Sequence, residues 1–186
     1  MALTPSQMVT LGSVAPPFAL PDVVSGKHLS LSDIASSKAT VIMFICNHCP
    51  YVVHINSELV HLANDYIPKS ISFVAISTND ASAYPDDAPD KMKIAATKLG
   101  YPFPYLYDET QVVAKAYDAS CTPDFFVYDK NLKLVYRGQL DSSRPNSPQP
   151  PDGSDMRSAL DAILAGDKPN ENQRPSMGCN IKWKKE

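Results

Sequence analysis

A chain of 186 residues and 20.3 kDa is sized for one domain with a single sizeable core. Its 44% hydrophobic and 20% charged residues exclude a disordered or fibrous polymer, and a net charge of -3 argues against a broad nucleic-acid or anionic-membrane surface. No apolar run approaches the roughly 20 residues of a membrane span, and Met1 to Thr10 lacks the basic and apolar regions of a secretory signal, so a cytoplasmic location is expected.

In chain order, Gly12 to Asp22 and Ser25 to Leu31 read as two short strands around a glycine-containing turn, a hairpin over about 12–31. Ser32-Asp33-Ile34-Ala35 begins a short helical turn. Ala39 to Ile45 is a continuous apolar run with β-branched residues, which predicts a central strand buried on both faces. Cys46-Asn47-His48-Cys49-Pro50 follows directly. Val52, Ile55, Leu59, Leu62 and Tyr66 then recur at alternating intervals of three and four, which predicts an amphipathic helix with Pro50 in its first turn. Pro68 ends that helix.

Ile71 to Ser77 reads as a second interior strand, Asn79 to Pro89 as a polar loop, and Asp90 as the cap of a helix through Met92, Ile94, Ala95 and Leu99 to Gly100. A strand near Phe103 to Tyr107, a helix from Glu109 to Tyr117, and strands Asp124 to Tyr128 and Leu132 to Arg137 around an Asp129-Lys130-Asn131 turn complete the alternation. The proline-rich segment Arg144 to Gly153 reads as a surface loop, and Ser154 to Ala165 as a last helix closed by Gly166. This order predicts an α/β architecture, a mixed sheet with helices on both faces, spanning residues 1–166; residues 167–186 form a tail carrying Cys179.

Four cysteines, Cys46, Cys49, Cys121 and Cys179, are too few for a disulfide-dense secreted scaffold of this length. Cys46 and Cys49, three apart at a strand-to-helix junction, are close enough to close a small disulfide ring, and the unpaired N–H groups and dipole of a helix start are expected to favour the thiolate form of the first of them, Cys46. Cys46 is the candidate nucleophile and Cys49 the candidate resolving thiol. A protonated His48 between them would stabilise the thiolate and make the couple more oxidising. The competing reading is a zinc half-site, for which Cys121, Cys179, His48 or His54 would have to supply two more ligands; no second C-x-x-C or His pair of ligand spacing exists.

Ala15-Pro16-Pro17-Phe18, Ser30-Leu31-Ser32-Asp33, the Phe44-to-Pro50 segment and Thr122-Pro123 together resemble the thioredoxin-like superfamily. Within it they resemble the branch shared with alkyl hydroperoxide reductase/thiol-specific antioxidant proteins. The resemblance covers Gly12 to about Gly166 and implies a thioredoxin fold with the hairpin as an amino-terminal extension. It also implies a cis Thr122–Pro123 bond, with Pro123 packed against the redox pair and the Thr122 backbone pairing with an extended substrate. The chain departs from thioredoxin in having Ile45 where that protein has Trp, Asn47-His48 in place of Gly-Pro, and no acid in Ala39 to Ile45 to serve Cys49. The peroxiredoxin signature Pro-x-x-x-Thr-x-x-Cys is absent: Ala39 and Met43 stand in its Pro and Thr positions relative to Cys46, and Ile42 and Cys46 relative to Cys49.

These readings converge on a thiol–disulfide oxidoreductase without a cofactor beyond its own disulfide. Cys46, Cys49 and Pro123 carry the chemistry, while Asn47, His48, Pro50 and Thr122 tune it or contact substrate. Its expected partners are a disulfide-containing protein or small thiol substrate and an unidentified electron donor, with no nucleic acid, membrane or metal. A thiol peroxidase acting through Cys46, and a metal-binding module or chaperone built on the C-x-x-C, are the alternatives. Cys121 reads equally as a buried inert thiol or a redox thiol, and Cys179 as a third redox thiol or part of a packing tail. Arg137 and Arg144 read as surface charge, or as an anion site.

Overall fold

The computed structural model describes residues 3–185. Its elements are β1 (Leu3–Pro5), β2 (Ala19–Pro21), β3 (His28–Ser30), α1 (Leu31–Ile34), β4 (Ala39–Phe44), α2 (Pro50–Tyr66), β5 (Ile71–Ser77), α3 (Pro89–Leu99), β6 (Tyr105–Tyr107), α4 (Val112–Ala116), β7 (Cys121–Thr122), β8 (Asp124–Asp129), β9 (Leu134–Gly138), α5 (Ser154–Ala165) and β10 (Met177–Asn180). The main sheet has the order β6-β5-β4-β8-β9, with β4, β5 and β6 parallel and β8 and β9 antiparallel to their neighbours. With helices on both faces, this is a thioredoxin fold. Among the described residues, no helix is long and apolar enough to cross a membrane.

Every residue of β4 is buried, as its apolar sequence demands, and the one hydroxyl, Thr40, accepts from the Ser36 N–H and Ser72 Oγ. Successive side chains alternate between faces. Val41, Met43 and Ile45 pack with Val52, Ile55 and Leu59 of α2, Met92 of α3 and Leu160 of α5. Ile42 and Phe44 point the other way, toward Leu31 and Ile34 of α1 and Val113 and Ala114 of α4. Because β4 and β8 run antiparallel, with Phe44 opposite Asp124, the end of β4 and the turn that opens β8 lie side by side. The β2–β3 hairpin forms as expected, its register running from Ala19–Ser30 to Pro21–His28.

Several local expectations shift. α1 is capped by Ser30, whose side chain accepts from the Asp33 N–H while Asp33 accepts from the Ser30 N–H, so the turn begins one residue before Ser32. Pro89 opens α3 with Ala88 at the cap, in place of Asp90, and Ile94 faces solvent. α4 is shorter than Glu109 to Tyr117 because Gln111 adopts a left-handed conformation at φ 63° and cannot extend the helix backward. The segment 177–180, expected to be irregular tail, is a strand inserted between β1 and β7.

The largest correction concerns Arg137. It is neither surface charge nor an anion site: its side chain is fully buried and forks onto the equally buried Asp124, with Nη2 2.9 Å from Oδ2 and Nη1 on Oδ1. Asp124 also accepts from Ser6 Oγ at 2.6 Å and the Ser120 N–H at 3.2 Å, and the guanidinium lies over the Phe126 ring. One ion pair thus ties β9, the start of β8 and the amino-terminal segment together. Arg144 is half-buried, donating to the Asp141 and Ser143 carbonyls and to Gln139 Oε1. Arg137→Met leaves the Asp124 charge buried without its counter-ion and is expected to cost about 3–5 kcal/mol in urea unfolding; a loss below about 1 kcal/mol would contradict a structural role for the pair.

Candidate active site

The chain leaves the sheet at Ile45 and enters α2 at Pro50, so the four residues Cys46 to Cys49 form the connection. Cys49 is the residue capping α2, with an extended backbone, and Pro50 occupies the first helical position, where its missing N–H costs no hydrogen bond. Both cysteines are almost fully buried. Thr122–Pro123 is a cis peptide, as the resemblance implied, and places Thr122 directly against them. Cys46 Sγ lies 3.3 Å from Thr122 Oγ1, and Cys49 Sγ lies 3.1 Å from the Thr122 carbonyl oxygen. Cys49 Sγ is also 2.9 Å from Cys179 Sγ. The structure therefore brings together Cys46, Cys49, Thr122 and Cys179, with Pro123 next to Thr122 in the chain.

Cys121 does not join them. It is fully buried behind the same turn, 3.9 Å from Ser6 Oγ and 3.5 Å from the Pro123 carbonyl oxygen, and burial pushes its thiol pKa up. His54 lies elsewhere, with Nε2 2.9 Å from Ser143 Oγ.

The two cysteines of the motif are shifted in opposite directions. A hydrogen bond from Cys46 holds the Cys49 thiol down to about 5 against the opposing effect of burial, with further help from Cys179 and the Val52 N–H in the first turn of α2. The same bond, together with burial and the Asp87 carboxylate, pushes Cys46 upward. Burial and the bond to Cys49 raise Cys179 to about 12. The expectation of a Cys46 thiolate is therefore reversed: the thiol held low is that of Cys49, the residue capping α2, while Cys46 stands three residues ahead of the cap.

Asp87 is the site residue that sequence reading passed over. It belongs to the loop before α3 and is fully buried, accepting from the Asn47 N–H and from Asn79 Nδ2, each at 2.8 Å. His48 Nδ1 lies 2.7 Å from its Oδ2, close but poorly aligned for a hydrogen bond, and the His48 ring stacks on Tyr84. Asn47 is held further by the Asp86 carbonyl and by the Tyr105 hydroxyl. A loop acid in a run such as Tyr84-Pro85-Asp86-Asp87 carries no sequence signal that separates it from solvent-facing neighbours. Cys46, His48 and Asp87 each offer one donor atom within 4.8 Å of the others, a possible three-ligand metal set that leaves Cys49 out. It is not the zinc half-site considered from the C-x-x-C alone.

The edge of Thr122 differs from expectation. An extended substrate was to pair there, but β10 already does, with Cys179 opposite Thr122 and Asn180 opposite Cys121.

Residues 11–137 match the AhpC/TSA family, and the chain belongs to it. Among solved structures, an uncharacterized conserved protein from Geobacillus kaustophilus is 61% identical, with a TM-score of 0.98 over 100% of this chain and 98% of that one. A hypothetical protein from Sinorhizobium meliloti 1021 is 44% identical, with a TM-score of 0.96 over 98% of this chain and 100% of its own. A putative thiol:disulfide interchange protein DsbE from Chlorobium tepidum, 22% identical with a TM-score of 0.64 over 84% and 99% of the two chains, shares the fold. No curated protein matches the chain. Family and fold together identify a thiol oxidoreductase of the thioredoxin-like superfamily.

With Cys46, Cys121 and Cys179 all raised, the ultraviolet thiolate band at neutral pH should correspond to one sulfur, Cys49, and should fade as pH falls through about 5. Cys46→Ala removes the donor, so the band should then fade at a higher pH, nearer the ordinary thiol range. A midpoint that Cys46→Ala leaves unmoved would contradict the influence of Cys46 on Cys49.

Proposed function

We propose that the protein is a thiol–disulfide oxidoreductase in which Cys46 receives the substrate disulfide and Cys49 resolves it. The observation that carries this reading is the placement of both buried sulfurs against Thr122 at the strand-to-helix junction, Cys46 3.3 Å from its hydroxyl and Cys49 3.1 Å from its carbonyl oxygen. Cys46 attacks one sulfur of the disulfide as its proton passes to Cys49; a mixed disulfide forms, and the departing thiolate takes the proton from Cys49. The Cys49 thiolate then attacks Cys46, closing the Cys46–Cys49 disulfide and releasing the second substrate thiolate. The substrate gains two electrons and the pair loses two. A separate thiol donor returns the enzyme to its dithiol form, and no cofactor takes part.

Asp87 holds the Asn47 N–H and faces His48, so it fixes the loop between the cysteines. Access favours Cys46 as the entry sulfur. Its neighbours Asn47 and His48 are partly exposed, whereas Cys49 is covered by β10. A substrate therefore approaches from the His48 and Tyr84 side, which suits a small disulfide or a protruding protein disulfide.

Turnover of a chromogenic aromatic disulfide with dithiothreitol as donor should fall to background in Cys46→Ser and in Cys49→Ser. In stopped-flow mixing with hydrogen peroxide, the thiols should react only at the slow rate of ordinary cysteine. Fast, saturating peroxide oxidation of Cys46 would replace this reading with a peroxidase, and one tightly bound metal per chain ligated by Cys46 would replace it with a metal site.

A further inference from the structure

β10 lies in the position the thioredoxin-like resemblance reserves for substrate. It runs antiparallel to β7, places Cys179 opposite Thr122, and continues the contact with a hydrogen bond from the Ile181 N–H to the Ser120 carbonyl. On its other side β10 pairs with β1, with Leu3 opposite Cys179 and Pro5 opposite Met177. Further bonds fix it at both ends: Ser176 Oγ donates to the Pro123 carbonyl, and the Lys182 N–H donates to Asn79 Oδ1, each at 2.8 Å. The approach to Thr122 is so close that it demands glycine at 178. A Cβ there would stand 2.0 Å from the Thr122 carbonyl oxygen and 2.6 Å from its carbon. The consequence of this packing is a sulfur, Cys179, held 2.9 Å from Cys49.

We propose that Cys179 is a third redox thiol, presented by β10 as an internal substrate strand, which takes over the disulfide from the Cys46–Cys49 pair. This rests on the reading of that pair as a disulfide-exchanging couple. In the step, Cys179 attacks Cys49 Sγ of the Cys46–Cys49 disulfide, an S–S bond forms between Cys49 and Cys179, and the Cys46–Cys49 bond breaks. Cys46 leaves with the electron pair and takes the proton that Cys179 gives up. One disulfide is exchanged for another, so no outside oxidant or reductant is required.

Two consequences follow from the geometry. Cys46, the sulfur nearest the partly exposed Asn47 and His48, becomes a free thiol again while the chain still stores the oxidation. The stored disulfide is buried, since Cys49 and Cys179 are both covered. The donor that restores the enzyme must therefore act by reversing the exchange through Cys46, or must reach the Cys49–Cys179 bond by displacing β10.

The test is disulfide mapping of the full chain after anaerobic treatment with one equivalent of diamide, followed by alkylation and trypsin. Cleavage at Lys38, Lys69, Arg157 and Lys182 puts Cys46 and Cys49 on one peptide and Cys179 on another, with Cys121 on a third. The wild type should give a fraction of chains with peptide 39–69 linked to peptide 158–182, the bond located at Cys49 by fragmentation and Cys46 alkylated in the same species. Cys179→Ser should lose the linked species completely and keep the internal Cys46–Cys49 disulfide. An internal disulfide with Cys179 fully alkylated in the wild type would overturn the proposal and leave the reading of the pair intact. Absence of the internal disulfide in both proteins would overturn both, and a link through Cys46 would overturn the assignment to Cys49.

Discussion

Because β4 and β8 are antiparallel and in register from Ala39–Asp129 to Phe44–Asp124, the residues just past β4 and those just before β8 meet at one end of the sheet. The redox chemistry depends on that meeting. β4 is locked by burial on both faces, so Cys46 cannot shift along the sheet. β8 is locked at its first residue by Asp124, whose carboxylate is gripped by Arg137 from the neighbouring strand. A slip of one residue in either strand would exchange inward and outward faces and separate Thr122 from both sulfurs.

Around that junction, charge is distributed by neighbouring side chains and by burial. Cys46 and Cys179 hold the Cys49 thiol down, while the bond to Cys49, burial and the Asp87 carboxylate push Cys46 up. Two sulfurs three residues apart thus become chemically distinct. Asp87 also shows a second way to place a buried acid near a C-x-x-C: it enters from the loop before α3, not from the central strand, and it reaches the first cysteine's side of the motif.

Much of this was legible before the structure. The apolar run of β4, the three-four spacing of α2 and the cysteines between them needed only periodicity and turn chemistry, and Thr122-Pro123 stood out through the resemblance. What escaped reading was whatever depends on distant segments meeting. Asp87 looks like any loop acid, Arg137 like any strand-end cation, and each is explained only by its buried partner. β1 and β10 are strands of three and four residues with no alternation to mark them, and they exist because each supplies the other's backbone partner. Cys179 was visible as a residue but not as a neighbour of Cys49, since 130 positions separate them in sequence.

The most direct measurement is an equilibrium titration of the protein's thiols against graded mixtures of reduced and oxidised dithiothreitol. Reversible exchange at this site predicts a single two-electron transition, about 30 mV per tenfold change in the redox ratio, that persists in Cys121→Ala and vanishes in Cys49→Ser. Thiols that stay reduced across the whole range, or that oxidise with no dependence on Cys49, would contradict it.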